Sequence, residues 1–158
     1  MNEQVALDKV VVFQSQEEEY GVPIQYVVSI EKLQSLNTVP NMPDYMNGVT
    51  TVRGEVTPIL DANQILYRAR SKVTDKTRMI ILQTETLSFG LIVDDAKEII
   101  AIPENSVQQI GLLSYKQNSF LLGVANLDSR LLTLINPTTL VNSLEEMEEV
   151  KKQLLEVL

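Results

Sequence analysis

Carboxylate side chains are the residues of this sequence best placed to do chemistry. Asp94 and Asp95 follow an apolar run, and Asp61 closes another. Acids at strand ends can hold Mg²⁺ or accept a phosphoryl group. Adjacent residues on an extended strand point to opposite faces, so Asp94 and Asp95 converge only if the chain turns between them. We therefore favour a solvated turn here and keep an aspartate-based enzyme as the alternative.

Other common catalytic residue types are missing. The 158 residues include no Cys and no His, which excludes disulfides, thiol nucleophiles, Cys/His zinc sites and imidazole catalysis. The phosphate-binding, dinucleotide-binding, nucleophile-elbow and zinc-protease motifs are also absent from the sequence. We expect a protein with no catalytic residues, no metal and no cofactor.

Arg53 is the strongest candidate for a binding residue. It lies in the turn 51–54 between two apolar runs, where Gly54 permits a positive φ. An Arg on a rigid turn is typical of an interface hot spot, because its planar guanidinium binds carboxylates or backbone carbonyls. A local ion pair with Glu55 is the alternative.

Short apolar runs separated by Gly, Pro, Asn and Asp predict a mostly β protein. Their Val, Ile, Phe and Thr content is typical of strands. The runs are residues 9–15, 55–60, 78–83, 87–93, 98–102, 119–127 and 131–136. Short helices are expected at residues 62–68 and 137–141. The acidic run 17–19 is expected to form a solvated hairpin tip.

A longer amphipathic helix is predicted at residues 143–158. Ser143 and Glu146 have the spacing of a capping box. Apolar residues then recur every three or four positions, at Leu144, Met147, Val150, Leu154 and Leu158. We expect this helix to pack on the parent domain, and docking on a partner is the alternative.

The sequence contains an internal repeat. Residues 13–30 align with residues 82–99 at an offset of 69, and residues 48–61 align with residues 123–136 at an offset of 75. Neither alignment needs a gap. The repeat predicts two similar β subdomains, with halves at approximately 13–68 and 82–141 and a groove between them. Aromatic residues on the repeat are expected in the core, namely Phe13, Tyr20 and Phe89.

The charge balance restricts the partners. Thirteen Lys and Arg against 21 Asp and Glu give a net charge of −8, which disfavours nucleic acid and anionic membrane surfaces. The sequence shows neither a signal peptide nor an apolar stretch long enough to cross a membrane. We expect a cytoplasmic protein without direct membrane insertion.

Between about residues 9 and 141 the chain resembles the CheW family of chemotaxis coupling proteins. The matching residues are Phe13, Glu19-Tyr20-Gly21-Val22-Pro23-Ile24, Val27, Ile30, Val39-Pro40, Pro43, Gly48-Val49, Arg53-Gly54, Thr57-Pro58-Ile59, Asp61, Gly90-Leu91-Ile92-Val93-Asp94 and Gly123-Val124. No single one is decisive, but their order and spacing together are specific.

The resemblance implies both a fold and a role. The fold would be mainly β, with two intertwined five-stranded SH3-like β-barrels, short helices and a C-terminal α-helix. The role would be that of a non-catalytic adaptor, recruited to membrane receptor arrays. Its partners would be the cytoplasmic tip of methyl-accepting chemoreceptors, which is a helical hairpin, and the regulatory domain of the histidine kinase CheA. The kinase-binding residues stay unassigned.

The resemblance also implies receptor-binding residues. Arg53 matches the Arg of the family's Asn-Leu-Arg-Gly turn, which is tied to receptor binding. The remaining candidates line or support the groove for the receptor tip or flank Arg53, namely Val27, Ile30, Gly48, Val52 and Gly54.

This chain departs from the family pattern in three places. Thr51-Val52 replaces Asn-Leu, Ala62 replaces Leu, and Ser29 stands where an acid is common. The loss of an acid at Ser29 could change receptor preference. Two related alternatives therefore stay open: the coupling half of a CheV-like protein, although the chain ends too soon for a receiver domain, and a divergent scaffold for another receptor–kinase system.

Overall fold

A computed structural model of the chain describes residues 7–108 and 120–157. This part of the chain forms eleven strands and three α-helices. The first half contains β1 (Lys9–Ser15), β2 (Glu18–Pro23), β3 (Val27–Lys32), β4 (Met46–Val52), β5 (Glu55–Asp61) and α1 (Ala62–Tyr67). The second half contains β6 (Arg78–Gln83), β7 (Ser88–Val93), β8 (Asp95–Ala101), β9 (Val107–Gln108), β10 (Leu121–Leu127), β11 (Arg130–Ile135), α2 (Pro137–Ser143) and α3 (Met147–Val157).

Each of the two sheets takes strands from both halves of the chain. The five-stranded sheet has the order β3-β6-β7-β5-β4, so the hairpin β6–β7 lies among strands of the first half. The other sheet has the order β8-β1-β2-β11-β10-β9, so the hairpin β1–β2 lies among strands of the second half. The expected intertwining of two β subdomains is therefore present. The boundaries 13–68 and 82–141 for the repeated halves remain a prediction.

One sheet has a sixth strand that the expected five-stranded pattern did not include. The two residues of β9 pair with β10 through Val107–Ala125 and Gln108–Val124. In the other sheet the corresponding contact is a single bridge between Asn37 and Val49. The two sheets therefore differ in strand number only because the short pairing of β9 with β10 counts as a strand, whereas the single bridge at Asn37 does not.

Gly21 and Gly90 occupy equivalent positions of the repeat. Each lies where a hairpin from one half of the chain pairs with a strand from the other half. Gly90 of β7 pairs in parallel with Ile59 of β5, and Gly21 of β2 pairs in parallel with Leu134 of β11. A Cβ atom would lie 2.5 Å from Ile59 Cδ1 at Gly90 and 3.0 Å from Leu134 Cδ2 at Gly21. The repeat therefore reflects the same close strand approach, made twice.

Side-chain caps start the two short helices at equivalent repeat positions. The Asp61 carboxylate accepts hydrogen bonds from the backbone N–H groups of Asn63 and Gln64, at 3.0 and 3.4 Å. Asn136 Oδ1 accepts from Thr138 and Thr139 in the same way. These contacts satisfy N–H groups that have no partner within the helix. Both short helices were predicted at these places.

The C-terminal helix begins later than its predicted capping box. Ser143 ends α2, and its hydroxyl donates to the carbonyl of Leu140 at 2.8 Å. Glu146 has a φ of 65°, which interrupts the helical backbone before Met147. The amphipathic pattern was nevertheless right, because Met147, Val150 and Leu154 are buried. Leu158 lies outside the described residues.

The buried side chains form three clusters. One contains residues of both sheets together with α2 and α3, and it includes Phe13, Tyr20 and Phe89 as predicted. A second belongs to the six-stranded sheet and its flanking residues, and a third to the five-stranded sheet. Each sheet thus encloses its own core, and both share a central one. None of the helices in the described part is long and apolar enough to cross a membrane.

Candidate functional site

In the turn between β4 and β5, Arg53 has a left-handed backbone conformation, which is uncommon for a residue with a side chain. Val52 pairs with Glu55, leaving Arg53 and Gly54 as a two-residue turn. Their φ angles are 51° and 82°, the positive values that a type I′ hairpin requires and that Asn-Gly adopts most readily. For a residue with a Cβ atom this left-handed conformation costs about 1 kcal/mol. The fold thus holds an Arg where Asn would be more stable.

The Arg53 guanidinium is free to meet a partner. The side chain is exposed, and within residues 7–108 and 120–157 no carboxylate pairs with it. The alternative of a local ion pair with Glu55 does not form. An exposed, unpaired guanidinium on a two-residue turn has five N–H donors available for carboxylates or carbonyls.

A cleft opens beside this turn, between the two edge strands of the five-stranded sheet. We call it the Arg53 cleft; its volume is about 290 Å³, and it is lined by Ser29, Glu31, Gln34, Thr50, Thr51, Val52, Arg53 and Met79. Val52 and Met79 belong to the core of this sheet, so the floor of the cleft is apolar. Of the predicted site residues, Val52 and Arg53 lie in it.

Glu31 places an acid in the Arg53 cleft, and sequence reasoning missed it. The Ser29 hydroxyl donates to Glu31 Oε2 at 2.9 Å. The two residues share one face of β3, because Ser29 lies opposite Ile81 and Glu31 opposite Met79. The acid absent at Ser29 is therefore present two residues later. Alternation along the strand was the signal that could have identified it.

The predicted residues Val27 and Ile30 lie on the other face of β3. Ile30 pairs with Ile80 and Val27 with Leu82, whose side chains belong to the central core. Val27 is half-buried against that core, whereas Ile30 is 41% exposed. Ile30 is therefore available to a partner outside the cleft, whereas Val27 packs against the central core.

Gly48 does not line the Arg53 cleft. It is buried at a φ of 151°, and a Cβ atom there would lie 2.6 Å from the carbonyl oxygen of Asn37. That carbonyl accepts a hydrogen bond from the Val49 N–H at 2.8 Å. Gly48 thus allows residue 37 to cover the edge of β4, and its effect on any site is through the backbone.

A second concave surface lies on the other side of the Arg53–Gly54 turn. We call it the α3 groove; its volume is about 400 Å³, and its lining residues are Gly54, Glu55, Val56, Thr86, Leu87, Ser88, Lys151 and Leu154. It is formed by two hairpin turns of the five-stranded sheet and by α3. The predicted residue Gly54 lies here, so the turn separates two concave surfaces.

Two of the three carboxylates considered for catalysis, Asp94 and Asp61, are engaged in structural hydrogen bonds. Asp94 accepts from the Asn63 amide and from the Gln16 N–H, each at 2.9 Å. Asp61 is fully buried and accepts from Ser71 in addition to capping α1. Asp94 is therefore half-buried and bonded, which differs from the expected solvated turn. Within the described part of the chain, no group of three or more acidic side chains is arranged to hold a metal ion.

The acidic run 17–19 is only partly the solvated hairpin tip that was expected. Gln16 and Glu17 form the turn, whereas Glu19 lies in β2. Arg130 donates to both oxygens of Glu19, with Nε–Oε1 at 3.0 Å and Nη2–Oε2 at 2.9 Å, and it also contacts Glu98 at 2.9 Å. This hydrogen bonding lowers the pKa of Glu19 and raises that of Arg130. The cluster links β2, β11 and β8 of the six-stranded sheet.

Comparison with known proteins places this architecture in a family. The family model for the CheW-like domain matches residues 9–145. The chain belongs to the CheW family. The range matched by the family model includes the Arg53 cleft and all six predicted site residues.

Similar proteins carry the same family name. The chemotaxis protein CheW of Bacillus subtilis (strain 168) is 36% identical over 101 residues, which cover 64% of this chain and 65% of that protein. The chemotaxis protein CheW of Klebsiella aerogenes is 27% identical over 131 residues, covering 82% of this chain and 78% of that protein. The crystal structure of the scaffolding protein TtCheW from Thermoanaerobacter tengcongensis superposes with a TM-score of 0.76 at 28% identity, covering 89% and 92% of the two chains. These CheW relatives support a chemotaxis coupling adaptor role.

Proposed function

We propose that this chain is a non-catalytic adaptor that binds chemoreceptor tips and the regulatory domain of the kinase CheA, and that it is recruited to membrane receptor arrays. The observation that carries the proposal is Arg53, exposed and unpaired within the described residues and held at a costly positive φ. Local backbone strain of this kind is typical of functional positions. Membership of a scaffold family supports the same role.

The geometry of this surface supports recognition of a helical hairpin. A receptor tip that contacts the Arg53–Gly54 turn would offer carboxylates or the carbonyls of a helix C-terminus, and the guanidinium is suited to both. Ile30 adds an exposed apolar contact, and Glu31 disfavours acidic groups in the cleft. The sign of the charge at each position would then select among receptors.

Signal transfer in this proposal needs no covalent change in the adaptor. A receptor that changes conformation changes its contacts with the Arg53 turn, and the bound kinase experiences a different relative geometry. Such a shift is limited by the difference in binding free energy between the two receptor states.

The test is a pair of binding titrations with one matched control. We expect Arg53→Asn to weaken binding of a receptor cytoplasmic fragment by about tenfold or more, because it removes a hot-spot guanidinium. Asn tolerates the left-handed backbone, so the fold is kept. Arg68→Asn is the control, since Arg68 is also exposed and has a φ of 56°.

The outcomes separate the assignment from the function. Equal receptor affinities for the wild type and Arg53→Asn would remove Arg53 from the site. A folded wild-type protein that bound neither the receptor fragment nor the CheA regulatory domain would reject the coupling role and favour a scaffold for another system.

A further inference from the structure

Basic residues are concentrated in the segment that connects α1 to β6. Residues 68–78 contain Arg68, Arg70, Lys72, Lys76 and Arg78 but a single acid, Asp75. The net charge of −8 is thus the sum of +4 on these eleven residues and −12 on the remainder. Such a concentration of cations in an acidic protein calls for a reason beyond solubility.

This segment is anchored at both ends. The N–H and hydroxyl of Ser71 donate to the buried Asp61 carboxylate at 2.9 and 2.6 Å. Near the other end Thr77 is buried, and its hydroxyl oxygen accepts from the Thr74 N–H at 2.8 Å. These anchors give the backbone between them a defined position.

Three of the five cations face solvent without an internal role. Arg78 donates to the backbone carbonyls of Asp75 and Thr77, and Arg68 lines a separate groove beside Tyr20. Arg70, Lys72 and Lys76 are exposed, and no acid of the described residues forms an ion pair with them.

An exposed apolar residue lies among these cations. Val73 is 68% exposed and directly follows Lys72. Arg side chains beside an apolar contact are typical of protein interfaces. We call residues 70–76 the basic loop.

The basic loop lies far from Arg53. Strand β5 begins beside the Arg53–Gly54 turn and ends at Asp61, a length of about 20 Å at the rise of a strand. Ser71 binds Asp61, so the loop is held at the far end of that strand. A partner bound at the Arg53 turn therefore leaves the basic loop accessible. A protein that binds two partners at once needs two such separate surfaces.

We propose that the basic loop docks on an acidic, partly apolar patch of the kinase regulatory domain. This inference rests on the proposed coupling function. The loop supplies the second contact face, with Arg70, Lys72 and Lys76 as the electrostatic part and Val73 as the apolar part.

Other anionic occupants fit the loop less well. The cavity beside it is lined by Arg70 and Lys72 but equally by Glu17 and Asp94, so a small free anion meets balanced charge. The −12 on the rest of the chain repels an extended polyanion or an anionic membrane. An acidic patch that lies within the Debye length of about 8 Å of the loop is attracted mainly by the positive charge of the loop, because more distant charges are screened.

The test compares two charge-matched double variants. Arg70→Glu with Lys72→Glu is expected to weaken binding of the CheA regulatory domain by about tenfold and to leave binding of the receptor fragment unchanged. Lys9→Glu with Lys152→Glu makes the same change in net charge at exposed sites outside the loop and is expected to keep kinase affinity. Val73→Ser is expected to weaken kinase binding severalfold without changing its salt dependence.

Each outcome decides one question. Wild-type protein that fails to bind the kinase domain rejects the coupling function itself. Wild-type protein that binds, with equal losses in both double variants, overturns the loop assignment in favour of a net-charge effect. Loss of receptor binding instead of kinase binding in the loop variant also overturns it.

Discussion

Arg53, which we propose to be a receptor-binding residue, has a backbone conformation that lowers the stability of the fold. Its φ of 51° is one that Asn adopts readily and Arg does not. The sequence alone predicted the turn and the role of Gly54. It could not predict that Arg53 itself has a positive φ, because nothing in a Val-Arg-Gly-Glu segment distinguishes one hairpin turn from another.

The strain at Arg53 predicts a gain in stability when the residue is replaced. Arg53→Asn is expected to raise the free energy of unfolding by roughly 0.5 to 1 kcal/mol, because Asn tolerates the left-handed region. Urea denaturation measures this. Lys32→Asn, in the extended backbone of β3, is the control and is expected to give no gain. A destabilised Arg53→Asn variant would contradict the interpretation.

Glu19 illustrates a contact that local sequence does not reveal. Its partner Arg130 lies 111 residues away, and only the exchange of hairpins between sheets brings the two together. From neighbouring residues alone, the run 17–19 looks like an ordinary solvated tip.

The Glu19–Arg130 pair predicts a dependence of stability on pH. Because the folded-state pKa of Glu19 lies below its ordinary value of 4.5, its contribution is present above that value and is lost as the pH falls through the lowered pKa. Glu19→Gln is expected to lower the free energy of unfolding by about 1 kcal/mol near neutral pH. The difference from wild type should shrink in acid. Denaturation curves over that range, with Glu18→Gln as control, check this; a constant difference would oppose it.

At the scale of elements, strands with a continuous apolar run were the most predictable, whereas β2, β3 and β4 were not among the predicted runs. The runs 9–15 and 78–83 coincide with β1 and β6, because their apolar side chains pack on both faces and polar residues end them. The start of α3 was not predictable, since the hydroxyl of Ser143 can cap a following helix or bond back to Leu140. In the folded chain the Ser143 hydroxyl bonds to the Leu140 carbonyl within α2 and does not cap α3.

Helix α3 is part of the central core, and this predicts a large effect of its buried residues. Met147 is 2% exposed and packs in the same cluster as Phe89. Met147→Ala is expected to lower the free energy of unfolding by about 2 to 4 kcal/mol. Gln153→Ala, exposed on the same helix, is expected to change it little. Chemical denaturation distinguishes them, and a loss below about 1 kcal/mol for Met147→Ala would mean that α3 is not docked in solution.

At the scale of the whole molecule, the repeated sequence units are not the folding units. Sheet β3-β6-β7-β5-β4 needs β6 and β7 from the second half, and the other sheet needs β1 and β2 from the first. Hydrophobic periodicity cannot reveal which hairpin joins which sheet, because Gly21 and Gly90 occupy equivalent positions. The resemblance to a family supplied the intertwining, and periodicity supplied only the repeat.

The exchange predicts that neither half folds alone. Fragments 1–74 and 75–158, produced separately, are each expected to lack a cooperative unfolding transition, since each would expose the strand edges and core faces that the other covers. Mixing them is expected to restore one transition, measurable by circular dichroism. Independent cooperative folding of either fragment would contradict this expectation.

The same exchange governs how the chain is protected while it is being made. Val11 of β1 pairs with Ile99, which is 88 residues further along the chain, and Tyr20 of β2 pairs with Thr133. During synthesis the hairpin β1–β2 therefore leaves the ribosome early, but its neighbouring strands β8 and β11 are made only when most of the chain has been translated. Residues 10–13, all apolar and fully buried at the end, stay uncovered for most of synthesis. This adaptor is expected to depend on chaperones early in its life, and more so when translation is slow.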